Sequence, residues 1–278
     1  MIERRPGLDL LSHLILLLGV SIVAFPLYLT FVASTQTAEQ ISRSIPMSMV
    51  PGNHFWETYR LTSLGSKVPA VWPMMQTSLI SALVISIGKI AISLLSAFAL
   101  VYFRFPFRTF FFWMIFITLM LPVEVRISPT YEVVSNLGML NTYAGLTVPL
   151  IASATATFLL RQFFLTVPDE LVEAARMDGA SPMRFFKDIL LPLSATNIAA
   201  LFVIQFIYGW NQYLWPLLVT TNEDMYPIVM GIKRMLAGEA YTEWNVVMAT
   251  AILAMLPPAL VVILMQKWFV KGLVDTEK

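Results

Sequence analysis

Charged residues in this chain are spaced far apart, and the segments between them are almost wholly apolar. Asp9 and Glu39 bound a stretch whose densest part is 14–33, and Lys67 and Arg104 bound a second, interrupted only by Lys89. Fifteen residues separate Arg108 from Glu124, 28 lie between Glu132 and Arg161, 34 between Asp188 and Glu223, and 23 between Glu243 and Lys267. A helix needs roughly 20 apolar residues to cross the hydrocarbon layer of a bilayer. Five stretches meet that length. The third meets it if Pro122 only kinks the helix and Glu124 sits at the rim. The pattern therefore predicts an all-α integral membrane protein of six transmembrane helices, over 14–33, 76–102, 109–128, 142–161, 195–219 and 245–267, forming one membrane domain over 1–278.

Composition agrees. Of 278 residues, 58% are hydrophobic and 13% charged, half the charged share of an ordinary soluble domain (about 25%), and the mean hydropathy is +0.74. A water-soluble surface cannot be covered with so few polar groups. The net charge of +1 gives no field for nucleic acid, and the absence of Cys excludes a disulfide framework or a thiolate nucleophile. With the N-terminus inside, inner segments hold eleven Lys and Arg and outer segments six, with Lys89 inside a span. The positive-inside bias favours both termini in the cytoplasm over the opposite topology. The first apolar run exceeds the 7–15 residues of a signal-peptide core, so it reads as an uncleaved helix.

Two loops are too long to be plain connections. The outer one, 34–73, carries Pro46, Pro51, Gly52, Asn53, Gly65 and Pro69, all turn formers, and is expected to fold over the outer face. The inner one, 165–193, is rich in charge and helix formers. Pro168 with Asp169 and Glu170 starts a short helix, with acids at its positive end. Gly179 supplies the left-handed residue that ends it, and Ser181 with Pro182 caps a second helix running to Pro192. Leu171, Ala174 and Ala175 recur at helical spacing on the first of these. A solvated linker and a docking element both remain open at this point.

Lys89 is the one charge inside a span, and Ser86, Lys89 and Ser93 form a polar stripe at helical spacing. Such a cation faces the bundle interior or water. It either lines a path for an anion, or snorkels or pairs with a carboxylate elsewhere. Arg126 could attract an anion at the outer end of the third helix, although a structural role competes. Trp210, Asn211 and Trp215 read as aromatic belt, helix packing or pathway lining, and Asn211 needs a hydrogen-bond partner if it lies within a span. Nothing points to catalysis: His13 and His54 lie in different segments without metal-ligand spacing, and Gly88-Lys89 lacks the rest of a phosphate-binding loop.

The spacing Glu173-Ala174-Ala175, Asp178-Gly179, Ile189, Leu191-Pro192 resembles the EAA loop of ABC importer permeases. The segments from Trp210 to Leu218, from Asn141 to Leu146 and from Gln266 to Leu273 are similar to carbohydrate-type permeases related to the maltose importer. The stretch from Phe116 to Arg126 and the ending at Lys278 resemble the glycerol-phosphate branch of that family. The resemblance implies a type I permease whose loop, through Glu173, Ala174, Ala175, Asp178, Gly179, Ile189, Leu191 and Pro192, acts as a coupling helix for a separate ATPase. It implies a second permease, two ATPase subunits and a periplasmic substrate-binding protein as partners, ATP and Mg on the ATPase, and no cofactor on this chain. A sugar permease is the alternative within the family. An ion-gradient-driven secondary transporter is the alternative outside it, and it should show acidic or histidine relays within spans, of which there are none.

Overall fold

The computed structural model describes residues 6–44, 46, 48–65, 70–118, 121, 123–237 and 242–275. Pro122, the expected kink, and residues 276–278 lie outside this set, as does the side chain of Glu124. The described residues are mostly helical and contain no strand. In chain order the helices are α1 (Pro6–Ser34), α2 (Ala38–Arg43), α3 (Phe55–Leu64), α4 (Val71–Tyr102), α5 (Arg108–Ile117), α6 (Val123–Asn136), α7 (Tyr143–Thr147) and α8 (Ala154–Phe164). There follow α9 (Asp169–Met177), α10 (Pro182–Phe185), α11 (Leu191–Leu193), α12 (Ala195–Trp210), α13 (Leu214–Val219), α14 (Ile228–Leu236) and α15 (Trp244–Asp275).

Three helical segments are long and apolar enough to cross a membrane unbroken: Leu10–Ser34, Val71–Tyr102 and Trp244–Trp268. Two further helix pairs among the described residues reach that length and apolarity only across a bend: Tyr143–Leu150 meets Ala154–Phe164 at 46°, and Pro182–Leu193 meets Ala195–Trp210 at 73°. The expected straight helix over 142–161 is thus interrupted at 151–153, where Ser153 accepts from the Ala156 N–H and restarts the chain as α8. The run over 195–219 is likewise interrupted after Trp210. Hydropathy counts apolar residues and is blind to such backbone breaks. Over 109–128 the described residues form α5 and the start of α6.

The chain packs as two units, Met1–Trp72 with Gly231–Leu256, and Pro73–Met230 with Pro257–Lys278. In the first, residues 52–59 fold back on the end of α1. Thr35 is the anchor: its Oγ1 accepts from Gly52 N–H at 2.7 Å and its carbonyl from His54 N–H at 3.0 Å. Ser34 and Tyr59 share a hydrogen bond at 3.2 Å, and Phe31 meets Phe55 at 6.3 Å between ring centroids.

The second unit has its core at one end of α4. Ile90, Leu94, Ala97 and Phe98 pack with Leu160 and Phe164 of α8 and with Ala175, Phe185, Phe186 and Leu190 of the 165–193 segment. Near the opposite end, Asn141 takes a left-handed φ of 55° and ties the α6–α7 turn to the segment after α13. Its Oδ1 accepts from Thr221 N–H at 2.7 Å and Asn222 N–H at 3.0 Å, while Trp215 Nε1 donates to the Gly145 carbonyl at 3.0 Å.

Candidate translocation and coupling site

The 165–193 segment folds as its residues dictate. Asp169 and Glu170 occupy the first turn of α9, complementing its positive end. Gly179, at φ +71°, ends it. The Gly179 N–H donates to the Arg176 carbonyl at 3.0 Å and the Ala180 N–H to the Ala175 carbonyl at 2.9 Å, the paired bonds of a Schellman motif. Ser181 Oγ accepts from the Arg184 N–H and Pro182 takes the first position of α10. Between α10 and α11 the helix widens over Phe186–Leu190 into i→i+5 bonding. Pro192 explains the widening, since it cannot donate to the Asp188 carbonyl four residues back and its ring crowds that carbonyl.

The packing of α9 differs in one respect from the sequence expectation. Val172 and Ala175 turn inward, Ala175 only 5% exposed, whereas Leu171 and Ala174 remain at the surface. An outward stripe of Glu170, Glu173, Ala174 and Met177 results, with Met177 84% exposed. Asp178 is exposed at the C-cap, Ile189 and Leu191 are half-buried against the core, and Pro192 is exposed. Phe186 meets Phe98 at 4.8 Å and Phe185 meets Tyr102 at 5.3 Å, so the segment is stacked on the last turns of α4. The 103–107 connection leaves α4 at this same end, which agrees with both segments lying on one side of a membrane.

Higher on α4, Lys89 is 6% exposed and faces inward with Ser86 and Ser93, both fully buried. Its Nζ donates to Gln205 Oε1 of α12 at 3.1 Å and lies 3.6 Å from the centroid of the Tyr208 ring. Among the described residues no carboxylate pairs with it. Ser93 Oγ accepts from Thr157 Oγ1 at 3.1 Å, which extends the polar seam to α8. A charge at such depth costs a few kcal/mol unless polar groups surround it, and Gln205 and Tyr208 are the groups that do so here. Sequence reading missed both. Gln205, the one amide well inside the 195–210 apolar run apart from Asn197 at its start, was the available signal.

The other candidates make no hydrogen bond to this seam, although Arg126 is close enough for its charge to act on Lys89. Trp210 is 2% exposed and stacks on Phe206 at 5.9 Å, and Trp215 is buried against Val134 and Leu146. Both side chains sit among apolar neighbours in this state. Asn211 is exposed at the C-cap of α12. Arg126 is exposed on α6, with no hydrogen bond or ion pair joining it to Lys89. A crevice of about 390 Å³ lined by Arg104, Phe105, Phe107, Arg108 and Thr109 includes none of these residues.

Bent apolar crossings around a buried polar seam, with a capped helix pair stacked on one end, define a membrane transport subunit. A family model described as "Binding-protein-dependent transport system inner membrane component" matches residues 89–275, and the chain belongs to that family. It is 63% identical, over the whole of both chains, to the sn-glycerol-3-phosphate transport system permease protein UgpE of Brucella melitensis biotype 1. The identity is 62% to the protein of that name in Agrobacterium fabrum and 59% in Escherichia coli O1:K1, again at full coverage. The fold matches a chain of a bacterial ABC transporter involved in the import of the acidic polysaccharide alginate, with a TM-score of 0.81 at 20% identity, covering 95% of this chain and 97% of that one. The chain is a permease subunit of an ABC importer, a transport component.

Proposed function

We propose that this chain forms, with a second permease, the membrane pathway for sn-glycerol 3-phosphate or related glycerophosphodiesters. The full-length relatives carrying that name support the substrate. The observation in the fold that supports it best is Lys89, a buried cation held by neutral partners at the centre of a polar seam. A phosphate is the ligand chemistry that such an ammonium favours, whereas a neutral sugar would gain hydrogen bonds from it but no ion–ion attraction. Lys89 is the residue assigned to the phosphate. Arg126, exposed on α6, is assigned to attraction of the anion, and Trp210 and Asn211 mark the end of α12 along the pathway.

The importer is completed by two ATPase subunits and a periplasmic substrate-binding protein, with both termini of this chain in the cytoplasm. ATP and Mg belong to the ATPase. The outward stripe of α9, containing Glu173 and Ala174, seats in a groove of that subunit. Ala175, Ile189, Leu191 and the Gly179 turn hold the stripe rigidly on α4. ATP binding shifts the balance between inward- and outward-facing states only if the two states differ in these contacts. In proteoliposomes holding the complete transporter and its binding protein, glycerol phosphate uptake should require ATP and resist competition by maltose-like sugars. Equal uptake of a neutral sugar would overturn the substrate assignment.

A further inference from the structure

Lys89 carries three N–H donors, and the structure gives Gln205 Oε1 as hydrogen-bond acceptor for one of them, with the Tyr208 ring face beside it. Both groups are neutral, and both come from α12. An amide and a ring make the buried ammonium tolerable, but a phosphate oxygen would bind it more strongly, because it adds the attraction between two full charges to the hydrogen bond. The side chain is thus held by a weak clasp that an anion could replace.

The clasp sits on the helix that follows the coupling segment. α12 begins after the 73° bend at Ser194, which is fully buried and donates from Oγ to the Leu190 carbonyl at 2.6 Å. The segment before the bend is stacked on Phe98 and Tyr102 of α4. Farther along, Gly209 lets α12 touch α4 directly: a Cβ there would lie 2.9 Å from Ala82 Cα. α4 therefore carries the ammonium and supports the coupling segment, while α12 carries the clasp and joins that segment through a bend. A change of angle at Ser194 moves Gln205 and Tyr208 relative to Lys89.

We propose that Gln205 and Tyr208 are positioning residues that hold the Lys89 ammonium in this state and release it to a small phosphate monoester when α12 pivots at Ser194. This rests on the reading that Lys89 meets the substrate phosphate. Affinity for the anion then follows the conformational state, because the same helix movement that opens the path removes the competing acceptor.

The test uses the complete transporter in proteoliposomes, with uptake of radiolabelled glycerol phosphate and the yield of assembled complex measured together. Gln205→Glu supplies a permanent carboxylate to Lys89 and should raise KM at least about tenfold at normal assembly. Gln205→Met removes the acceptor at similar volume and should lower KM by about threefold, since the phosphate no longer competes with it. Lys89→Arg should retain uptake, and Lys89→Ala should lose it by about tenfold or more. If Lys89→Ala transports normally, the phosphate reading itself fails. If Lys89→Ala loses uptake while Gln205→Met and Tyr208→Leu, both assembled, leave KM within about twofold, Lys89 keeps its role and the clasp is wrong. Should Gln205→Glu prevent assembly, the Gln205→Met result decides alone.

Discussion

α1 and α4 are equally apolar by sequence, yet only 6% of the most apolar window of α1 is buried against 50% of that of α4. On α1, Leu14, Ile15, Leu16, Leu17 and Leu18 are all more than half exposed. The buried face of α4 instead interleaves Met74, Ile85, Ile90, Leu94 and Phe98 with the small and polar residues Thr77, Ser78, Ser81, Ala82, Ser86, Lys89, Ser93 and Ala97. In a bilayer, lipid satisfies large apolar side chains as well as a protein neighbour does, so packing is marked by small and polar residues that let backbones approach. Hydropathy identifies both helices as spans. Only the distribution of small and polar residues tells which one supports the site.

The comparison breaks most sharply at glycine. Gly209→Leu drives a side chain into the α4 backbone at Ala82. It should cost about 3 kcal/mol or more, at the upper end for overpacking, read as a loss of assembled complex and of thermal stability in detergent. Gly179→Val places a β-branched residue at φ +71°. The left-handed penalty of roughly 1–2 kcal/mol should distort the α9–α10 turn, leaving the protein in the membrane but uncoupling ATP hydrolysis from uptake. Ser181→Ala removes the α10 cap and should cost about 1 kcal/mol, a small fall in midpoint temperature with transport retained. Gly19→Leu on α1, with nothing within 4 Å of its would-be Cβ, should change stability by no more than about 0.5 kcal/mol. A large loss there would mean that α1 is packed after all within this chain.

The parts legible in the sequence were those governed by local rules. Gly179 and Ser181 obey cap chemistry that acts within four residues, and the Ser86, Lys89 and Ser93 stripe follows from one helix period. The illegible parts depend on contacts remote in sequence. Gln205 meets Lys89 across 116 residues; it stands out as an amide well inside an apolar run, but nothing local names its partner. On α9, Leu171, Ala174 and Ala175 share one possible face, and Val172 with Ala175 share another. Only the core of Phe185, Phe186 and Leu190 decides between them. Asn211 drew attention as an amide inside an apolar run. α12 ends at Trp210, and the Asn211 side chain is exposed there rather than buried between helices.

The claim that this permease is driven through α9 is tested most directly at Ala174. The chain has no native cysteine, so Ala174→Cys introduces a unique thiol on the outward stripe. In the assembled transporter, a short bifunctional reagent should join that thiol to the ATPase subunit, with a yield that changes when ATP is bound. Absence of the crosslink in an assembled, transport-competent complex, or labelling of the thiol from the periplasmic side, would contradict the account.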